Sequence, residues 1–489
     1  TASGVTSRVS IDSNGVEGNK SSSSPSLSSD GRYVAFSSHA TNLVPGHMNQ
    51  SVDVFVHDRD TGETTLVSKN SSGSEGDSDS VRPAISADGR YIAFDSFAEN
   101  LVNGDTNDDP DVFVHDTTTQ DTTRVSVNSD GNEANGRSLA PAISADGRFV
   151  AFHSFASNLG GDTNDVRDVF VHDTTTGDTS RVSVRSDGAE GNEYSVWPAI
   201  SEDGRHVAFF SRASNLVSSD NNDADDVFAH DRETGETTRL SVDGAGTEGN
   251  NDSRTPVISG DGRYVSFTSL ASNLVPGDTN KESDVFVHDQ TSGDTTRISV
   301  DSTGIQANSS STGPALSADA RYVAFDSFAS NLVADDTNGV DDVFVHQYLP
   351  DPPPSTTTTS TTTTVPPPDD EDFFTDDDGH LFEDDINAIA AAGITRGCNP
   401  PANDNYCPDD SFLRGQAAAF VRRALDVPAS ATDHFGDDDG NIFEDDINAI
   451  ATAGITRGCN PPANDRYCPD DSFLRGQAAA FVRRALGLP

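Results

Sequence analysis

A short pattern that recurs at an almost constant interval constrains the fold of this chain more than any other feature. The pattern is Asp-Gly-Arg-aromatic-Val-Ala-Phe with small variations, and it begins at Asp30, Asp88, Asp146, Asp203, Asp261 and Asp319, with spacings of 57 or 58 residues. A fixed period of this length is typical of repeat architectures in which each repeat is one supersecondary unit. The chain therefore contains six copies of one unit.

Each copy contains four short segments rich in β-branched and aromatic residues, which predicts four strands. In the second copy these segments are residues 82–86, 90–96, 111–116 and 122–127. Asp88-Gly89 between the first two predicts a two-residue hairpin turn with both residues at positive φ. In the sixth copy Ala320 replaces this glycine, which predicts a strained turn or a turn of another type.

The two ends of the repeat region are complementary. The sixth copy stops after its third strand segment, residues 342–346, and lacks a fourth. Residues 6–11 read Thr-Ser-Arg-Val-Ser-Ile and match the fourth segment of the fifth copy, residues 295–300. A linear solenoid has no need for this arrangement, whereas a ring does. We therefore predict a mostly β chain with a six-bladed β-propeller closed by the N-terminal strand.

The repeated residues also resemble a known family. Ser-x-Asp-Gly-Arg-Tyr-Val-Ala-Phe followed by Asp-Val-Phe-Val-His-Asp is similar to the repeats of TolB-type β-propellers, over about residues 5–348. The resemblance implies the propeller fold and leaves the function open, because propellers host many unrelated activities. The sequence contains no nucleophile elbow, phosphate-binding glycine loop or zinc-ligand spacing, so we expect a protein that is not an enzyme.

The remainder of the chain divides into three segments after a propeller at 1–350. Residues 351–372 are a Pro/Thr-rich linker, in which proline runs favour stiff polyproline II and the Thr/Ser tract is typical of an O-glycosylated stalk. Residues 373–428 and 429–489 are two copies of another unit, with Phe374 and Phe435 at equivalent positions. Each copy predicts two short α-helices and a loop bounded by two cysteines, and we expect the disulfides Cys398–Cys407 and Cys459–Cys468.

This second unit, Ile-x-x-Ile-Ala-x-x-Gly-Ile-Thr-x-Gly followed by Leu-Arg-x-x-x-Ala-x-Phe-Val-x-x-Ala-Leu, resembles S-layer homology repeats. The resemblance implies attachment to cell-wall polysaccharide, with Arg414 and Arg475 at the positions that contact the polymer. That family groups three repeats, and this chain has two, so binding of the tail to other copies of the chain is an alternative.

The loop before each third strand predicts a cation site. In Gly-Asp-Thr-Asn-x-x-x-Asp-Val-Phe, the oxygen-bearing residues have the 1, 3, 7 spacing that lets a tight loop surround calcium. An Asx-turn network, in which these side chains cap backbone amides, is the alternative. His47, Asn49 and Asp53 replace the set in the first copy, and the histidine should weaken that site. The candidate ligands are Asp105, Asn107, Asp109 and Asp111; Asp162, Asn164 and Asp168; Asp220, Asn222 and Asp226; Asp278, Asn280 and Asp284; and Asp336, Asn338 and Asp342.

Three further features have weaker functional interpretations. The tail could hold a second class of calcium site at Asp376, Asp378 and Glu383 and at Asp437, Asp439 and Glu444, although a solvated helix start explains the same residues. Trp197 is expected in the core. One histidine ends each third strand, and because these strands lie far apart in a propeller we expect each to make a local hydrogen bond to an Asp or backbone group. These residues are His57, His115, His172, His230, His288 and His346.

Charge and cysteine use limit the partners and the location. The net charge of −49 excludes nucleic acid, whose binding requires lysine and arginine, and no apolar stretch is long enough to span a bilayer. Paired cysteines and a first residue other than Met suit a secreted product without its leader. We therefore expect an extracellular, calcium-stabilised structural or adhesive protein attached to the cell surface through its C-terminal repeats. The alternative is a subunit of an extracellular filament, sheath or lattice, with the tail docking on a neighbouring copy.

Overall fold

Six antiparallel sheets follow one another along the chain, one for each sequence repeat. The computed structural model describes residues 6–334, 336–349, 411–413 and 472–474. The chain divides into two units, Thr1–Thr356 and Thr357–Pro489. In the first unit five sheets have four strands and the sixth has three, and strands adjacent in sequence are adjacent in each sheet. The prediction of a mostly β, six-bladed propeller is confirmed.

The strands have nearly the same bounds in every blade. Blades one and two contain β1 Ser22–Leu27, β2 Tyr33–Ser38, β3 Asp53–Asp58 and β4 Thr64–Leu66, then β5 Ser80–Ile85, β6 Tyr91–Ser96, β7 Asp111–Asp116 and β8 Thr122–Arg124. Blades three and four contain β9 Ser138–Ile143, β10 Phe149–Ser154, β11 Asp168–Asp173 and β12 Thr179–Arg181, then β13 Ser195–Ile200, β14 His206–Ser211, β15 Asp226–Asp231 and β16 Glu236–Arg239. Blades five and six contain β17 Ser253–Ile258, β18 Tyr264–Ser269, β19 Asp284–Asp289 and β20 Thr295–Arg297, then β21 Ser311–Leu316, β22 Tyr322–Ser327 and β23 Asp342–Gln347.

In blades two to five, the two central strands are apolar on both faces because neighbouring blades cover both faces. In blade two, Phe94 lies opposite Phe113 in the register of β6 and β7, and their ring centroids are 5.9 Å apart. Both side chains are fully buried. On the other face of this blade, Val112 and Val114 pack against the next blade in a shared hydrophobic cluster. Burial of both faces explains why these strands contain near-continuous apolar runs.

The turn between the first two strands differs from the prediction. Only Gly89 has a positive φ, and Asp88 does not. The Gly89 amide donates to the Ser86 carbonyl at 3.0 Å, and the Asp88 carboxylate accepts from the Arg90 amide at 2.9 Å. The predicted two-residue turn was wrong because the aspartate side chain stabilises a longer turn that needs only one left-handed residue. Ala320 has a φ of 57°, so the predicted strain in the sixth copy is confirmed.

The glycine of this turn also lets neighbouring blades pack closely, because it has no side chain. A Cβ added to Gly89 would lie 2.2 Å from the ring of Tyr33 in the preceding blade. Alongside it, the Ser29 amide donates to the Ala87 carbonyl and the Ala87 amide to the Ala145 carbonyl, each at 2.9 Å. These contacts join each blade to the next. The Asp-Gly-Arg pattern is therefore a blade-joining feature as well as a turn.

The first strand of every blade carries a bulge that sequence reasoning did not predict. One residue in each of these strands has a positive φ, and Trp197 occupies this position in blade four with a φ of 54°. Its side chain is 48% exposed. The expectation that Trp197 lies in the core was wrong, because the bulge turns its side chain away from the interior.

The predicted closure of the ring is not formed in this structure. Strand β23 has no fourth strand beside it among the described residues, and residues 6–10 do not form a strand. Val343 and Val345 of β23 are 79% and 67% exposed, whereas the equivalent Val285 and Val287 of blade five are fully buried. The structure therefore describes an open ring in which the N-terminal segment and the sixth blade are not paired.

In the second unit, only two short strands are described. Strands β24, Ser411–Leu413, and β25, Ser472–Leu474, pair antiparallel with Phe412 opposite Phe473, so equivalent segments of the two tail repeats meet. The linker 351–372, the predicted helices and disulfides, and the tail residues Arg414 and Arg475 lie outside the described residues. The tail acidic residues Asp376, Asp378, Glu383, Asp437, Asp439 and Glu444 lie outside them as well. Within the described residues there is no helix long and apolar enough to cross a bilayer.

Candidate metal centres

Three carboxylates converge at one end of blade two. Asp105 comes from the loop before β7, Asp111 is the first residue of β7, and Glu133 comes from the segment that follows β8. One oxygen of each lies within 4.8 Å of the others. The predicted ligands Asp105 and Asp111 are thus brought together, and Glu133 joins them from a part of the sequence that the motif did not include.

An arginine lies against these carboxylates. Arg124 ends β8, and its Nη1 lies 2.5 Å from Glu133 Oε1, 3.2 Å from Asp111 Oδ2 and 3.6 Å from Asp105 Oδ2. Its side chain is only 9% exposed. Three carboxylates and one guanidinium leave the cluster two negative charges in excess when all four are ionised. We call such a set an Asp-Asp-Glu-Arg cluster.

The same cluster recurs in the next two blades. Blade three has Asp162, Asp168 and Glu190 around Arg181, and Nη1 of the arginine is 3.1 Å from Asp168 and 3.6 Å from Asp162. Blade four has Asp220, Asp226 and Glu248 around Arg239, with Nη1 distances of 3.6, 3.3 and 2.6 Å. Three independent copies with one geometry show that the arrangement follows from the repeat itself.

The electrostatics of the clusters reflect this excess of negative charge. Burial, with a further contribution from the charge of Asp111, raises the pKa of Asp105 to about 7. Burial similarly raises the pKa of Asp162 to about 6 and that of Asp220 to about 7. Burial also acts on Glu133, but hydrogen bonds from Thr106 hold its pKa below the ordinary value. A carboxylate that is both buried and beside other carboxylates is stabilised by a proton or by a cation.

Two of the predicted ligands in blade two have other roles. The Asn107 amide donates to the Ala134 carbonyl at 2.8 Å and to Asp111 Oδ2 at 3.3 Å, and its carbonyl accepts from the Asp109 amide. Asp109 pairs with Arg137 on the surface, away from the cluster. Asn164 and Asn222 make the same contacts in their blades. These asparagines form the Asx turns of the alternative interpretation and orient one ligand. Asp109 does not join the cluster in this structure.

Blade one has neither the arginine nor the first aspartate of the cluster. Leu66 stands at the arginine position, and His47 stands at that of the first aspartate. His47 Nε2 lies 2.8 Å from Asp53 and 3.7 Å from Glu75, and the hydrogen bond to Asp53 raises the pKa of His47. The imidazole lies against the same two carboxylate positions as the arginine of the other blades. That this histidine weakens the cation site of blade one stays a prediction.

Blade five weakens the site in a different way. Asp278 and Asp284 meet, but Gln306 stands where the other blades have glutamate. Its amide donates to Asp278 at 2.8 Å and to Asp284 at 2.9 Å. These donors point at the oxygens that a metal would need. Asn280 makes the asparagine contacts of the other blades, so the predicted site of blade five does not fit a cation.

Blade six has only part of the set among the described residues. Asn338 donates to Asp342 Oδ2 at 2.7 Å, and both Asp336 and Asp342 are half-buried. Neither a glutamate nor an arginine joins them within residues 336–349.

The histidines at the ends of the third strands behave as local hydrogen-bonding groups. In blades one to five, the Nδ1 atom of each histidine lies 2.8–2.9 Å from the Oγ1 atom of a threonine in the fourth strand. Burial lowers the pKa of His115 to about 4. The predicted local hydrogen bond is present in these five blades, but its partner is a threonine hydroxyl and not an Asp or a backbone group.

The clusters of blades two to four fit a hard divalent cation. Carboxylate oxygens are the ligands that such cations prefer, and Oδ2 of the buried Asp162 has no hydrogen-bond partner. Sequence reasoning missed the glutamates and the arginines of these clusters. The signal was present, since each arginine precedes its glutamate by nine residues in all three blades, as Arg124 and Glu133 do.

Comparisons with known proteins give similar structures but no family. No protein-family model and no curated protein sequence matches the chain. TolB from Acinetobacter baumannii is similar at 16% identity with a TM-score of 0.34, over 56% of this chain and 53% of that one. A putative TolB from Agrobacterium tumefaciens shares 14% identity with a TM-score of 0.38, over 68% of this chain and 91% of that one. Pyrococcus horikoshii acylaminoacyl peptidase shares 14% sequence identity with a TM-score of 0.41, over 68% of this chain and 46% of that one.

The chain thus spans about half the length of the Acinetobacter baumannii protein. Both a peptidase and TolB proteins occur among these similar structures, and at such low identity neither assigns an activity to this chain.

Proposed function

We propose that the propeller is a calcium-stabilised structural or adhesive body that is displayed outside the cell. The observation that carries this proposal is the threefold recurrence of an Asp-Asp-Glu-Arg cluster that has two negative charges in excess when all four groups are ionised. An uncompensated buried charge of this size destabilises a fold unless a counter-ion is bound. A cation at each cluster supplies that counter-charge and rigidifies the loop before the third strand.

Calcium is the cation that suits these residues best. The donors are carboxylate oxygens from Asp105, Asp111 and Glu133 and their equivalents, and calcium accepts six to eight oxygens in flexible geometry. The clusters are buried at the edges of three separate blades and contain neither a nucleophile nor a neutral base. In this proposal calcium acts on the stability of the propeller and takes no part in a reaction.

Calcium stoichiometry tests this proposal directly. The triple variant E133Q/E190Q/E248Q gives blades two to four the glutamine that blade five has at Gln306. The control E63Q/E99Q/E236Q removes the same charge from exposed glutamates. Equilibrium dialysis with radioactive calcium should show three fewer bound ions for the first variant than for the wild type. The control variant should bind as many ions as the wild type, and equal binding by all three proteins would refute the assignment.

The tail is proposed as the attachment device of a secreted, cell-surface protein. Its two repeats, which resemble S-layer homology repeats, would bind cell-wall polysaccharide. The stalk at 351–372 would hold the propeller away from the wall, and disulfides Cys398–Cys407 and Cys459–Cys468 would brace the loops. The proposal is supported by the sequence resemblance and by the excess of acidic residues, which keeps a secreted body soluble.

Co-sedimentation with isolated cell walls tests the attachment. The full chain should sediment with the walls, whereas a chain ending at residue 356, which retains the whole propeller unit, should stay in the supernatant. Equal behaviour of the two proteins would contradict wall attachment. Large regular particles of the full chain in negative-stain micrographs, without wall binding, would favour the alternative of a self-assembling filament or lattice.

A further inference from the structure

An arginine between blades three and four has no carboxylate partner. Arg167 lies just before β11, and its guanidinium carbon is 5.2 Å from the ring centroid of Phe155 and 5.1 Å from that of Tyr194. Among the described residues, no carboxylate oxygen lies within 4.0 Å of its side-chain nitrogens, and no hydrogen bond involves its side chain. Aromatic rings attract a guanidinium through their faces, so these contacts leave the N–H groups of Arg167 free to donate.

A second arginine on the same surface is also without a carboxylate. Arg212 follows β14, is exposed, and its backbone amide donates to the Tyr194 carbonyl at 3.0 Å. In the described part of the chain, no carboxylate oxygen lies within 4.0 Å of the Arg212 side-chain nitrogens. The arginines of the Asp-Gly-Arg pattern in blades one to five, by contrast, each pair with the aspartate that ends the third strand. In a chain with a net charge of −49, two arginines that lack such a partner form a local site for an anion.

The residues of this surface are not part of the repeat. In the other blades, the position of Arg167 is occupied by Val52, Pro110, Asp225, Ser283 and Asp341. Because all six blades form the same first three strands, the strands do not require an arginine before the third one. Arg167 is therefore a feature of this one surface and not of the propeller fold.

The single tryptophan of the chain lies on the same surface. The ring centroids of Trp197 and His153 are 6.3 Å apart, and His153 and Phe155 extend the face of β10 that packs against blade four. Trp197 is 48% exposed and Phe155 is 45% exposed. Burial lowers the pKa of His153 to about 3, with the charge of the nearby Arg167 as a further cause, so this imidazole is neutral. Two half-exposed rings therefore lie beside a cationic group. We call the following residues the Arg167 surface: His153, Phe155, Arg167, Tyr194, Trp197 and Arg212.

The chemistry of the Arg167 surface suits a ring that carries one carboxylate. A carboxylate accepts two parallel hydrogen bonds from a planar guanidinium such as that of Arg167. The two exposed ring faces offer apolar contact, whereas the rim is polar and includes the ion pair of Arg254 with Asp252. A sugar ring has an apolar face and hydroxyl groups at its edge, so it matches this open surface better than a wholly apolar acid, which needs a closed pocket. The acidic remainder of the chain repels a polyanion, which favours a ligand with a single negative charge.

We propose that the Arg167 surface binds a sugar acid, with its carboxylate on Arg167 and Arg212 and its ring against Trp197. The proposal gives the propeller a ligand of its own, separate from the wall polysaccharide proposed for the tail. It depends on neither the tail nor calcium, so its failure would leave the calcium and wall-binding experiments unaffected.

Tryptophan fluorescence of the full chain tests this site, because Trp197 is the only tryptophan and its emission reports on this surface alone. Three compounds are compared at equal ionic strength: methyl glucuronide, its neutral counterpart methyl glucoside, and acetate. The glucuronide should change the emission saturably and protect Trp197 from quenching by acrylamide. The glucoside and acetate should each bind at least about tenfold more weakly, because each lacks one of the two recognised groups. No effect of the glucuronide, or an equal affinity for either of the other compounds, would overturn the proposal.

A matched pair of variants tests the role of the arginine. Arg167→Gln should weaken binding of the glucuronide by about tenfold or more, because it removes a charge-assisted hydrogen-bonding group. Arg8→Gln removes the same charge from an exposed arginine that pairs with Glu17 ahead of blade one, and it should bind as the wild type does. Wild-type affinity in Arg167→Gln, or an equal loss in both variants, would refute the assignment of the carboxylate to Arg167.

Discussion

Single substitutions at fixed positions of one repeat change the electrostatics of each blade. Blades two to four hold three carboxylates against one arginine, blade five exchanges the glutamate for Gln306, and blade one exchanges an aspartate for His47. In blades two to five, the sequence motif correctly predicted that the two aspartates of the loop meet. It could not predict the role of Asn107, because whether an asparagine binds a metal or caps a turn depends on the backbone around it. The motif also could not include Glu133, which approaches from another segment.

Protonation of a buried histidine provides a prediction at this scale. His115 is buried against a threonine hydroxyl, and its pKa is lowered from 6.5 to about 4 by burial. The unfolded chain binds a proton near pH 6.5 and the folded chain only near pH 4, so this residue makes the protein less stable as the pH falls between these values. In ¹⁵N-edited NMR spectra, the His115 imidazole should remain neutral at pH 5.5.

The variant His115→Gln assigns the signal among the twelve histidines of the chain. A titration midpoint near 6.5 for that signal would contradict burial of the ring in the folded protein.

At the scale of strands and turns, the sequence predicted most of the fold. The four strands of blade two were predicted to within about three residues at each end, because their apolar runs are bounded by turn residues. The turn type was wrong, since the aspartate side chain selects the longer turn. The bulge in each first strand was also missed, because nothing in residues such as Arg82, Ala140 and Trp197 indicates a left-handed backbone. Tertiary contacts between blades impose that conformation.

The glycines of the turns separate backbone strain from packing. Gly73 and Gly89 both have a positive φ, so an alanine at either position carries the left-handed penalty of about 1–2 kcal/mol. Only at Gly89 would the new Cβ meet a neighbour, the Tyr33 ring at 2.2 Å, whereas Gly73 has open space around it. Gly89→Ala should therefore lower the free energy of unfolding clearly more than Gly73→Ala does.

Urea denaturation of the two variants measures the difference. Equal losses would mean that the turn glycine does not join blade two to blade one, and that the repeated Asp-Gly-Arg pattern acts through the turn alone.

At the scale of the whole molecule, the net charge of −49 is the main obstacle to stability. A chain with so many carboxylates repels itself in the folded state, and in the described residues three carboxylates meet in each of the clusters of blades two to four. The number of blades followed from the sequence period, but the open ring could not be foreseen, because the match between residues 6–11 and a fourth strand does not say whether the ends meet. A cation that binds only the folded propeller stabilises it by mass action.

Thermal unfolding with and without calcium is the most direct test of this account. At a free calcium concentration of about 100 times Kd, each occupied site adds about 2.7 kcal/mol to the stability of the folded state. The wild-type protein should melt several degrees lower in a chelator than in calcium, and E133Q/E190Q/E248Q should melt at one temperature in both. Identical melting curves for the wild type in calcium and in chelator would contradict the account. They would mean that the arginines hold the carboxylates of the clusters together without a cation.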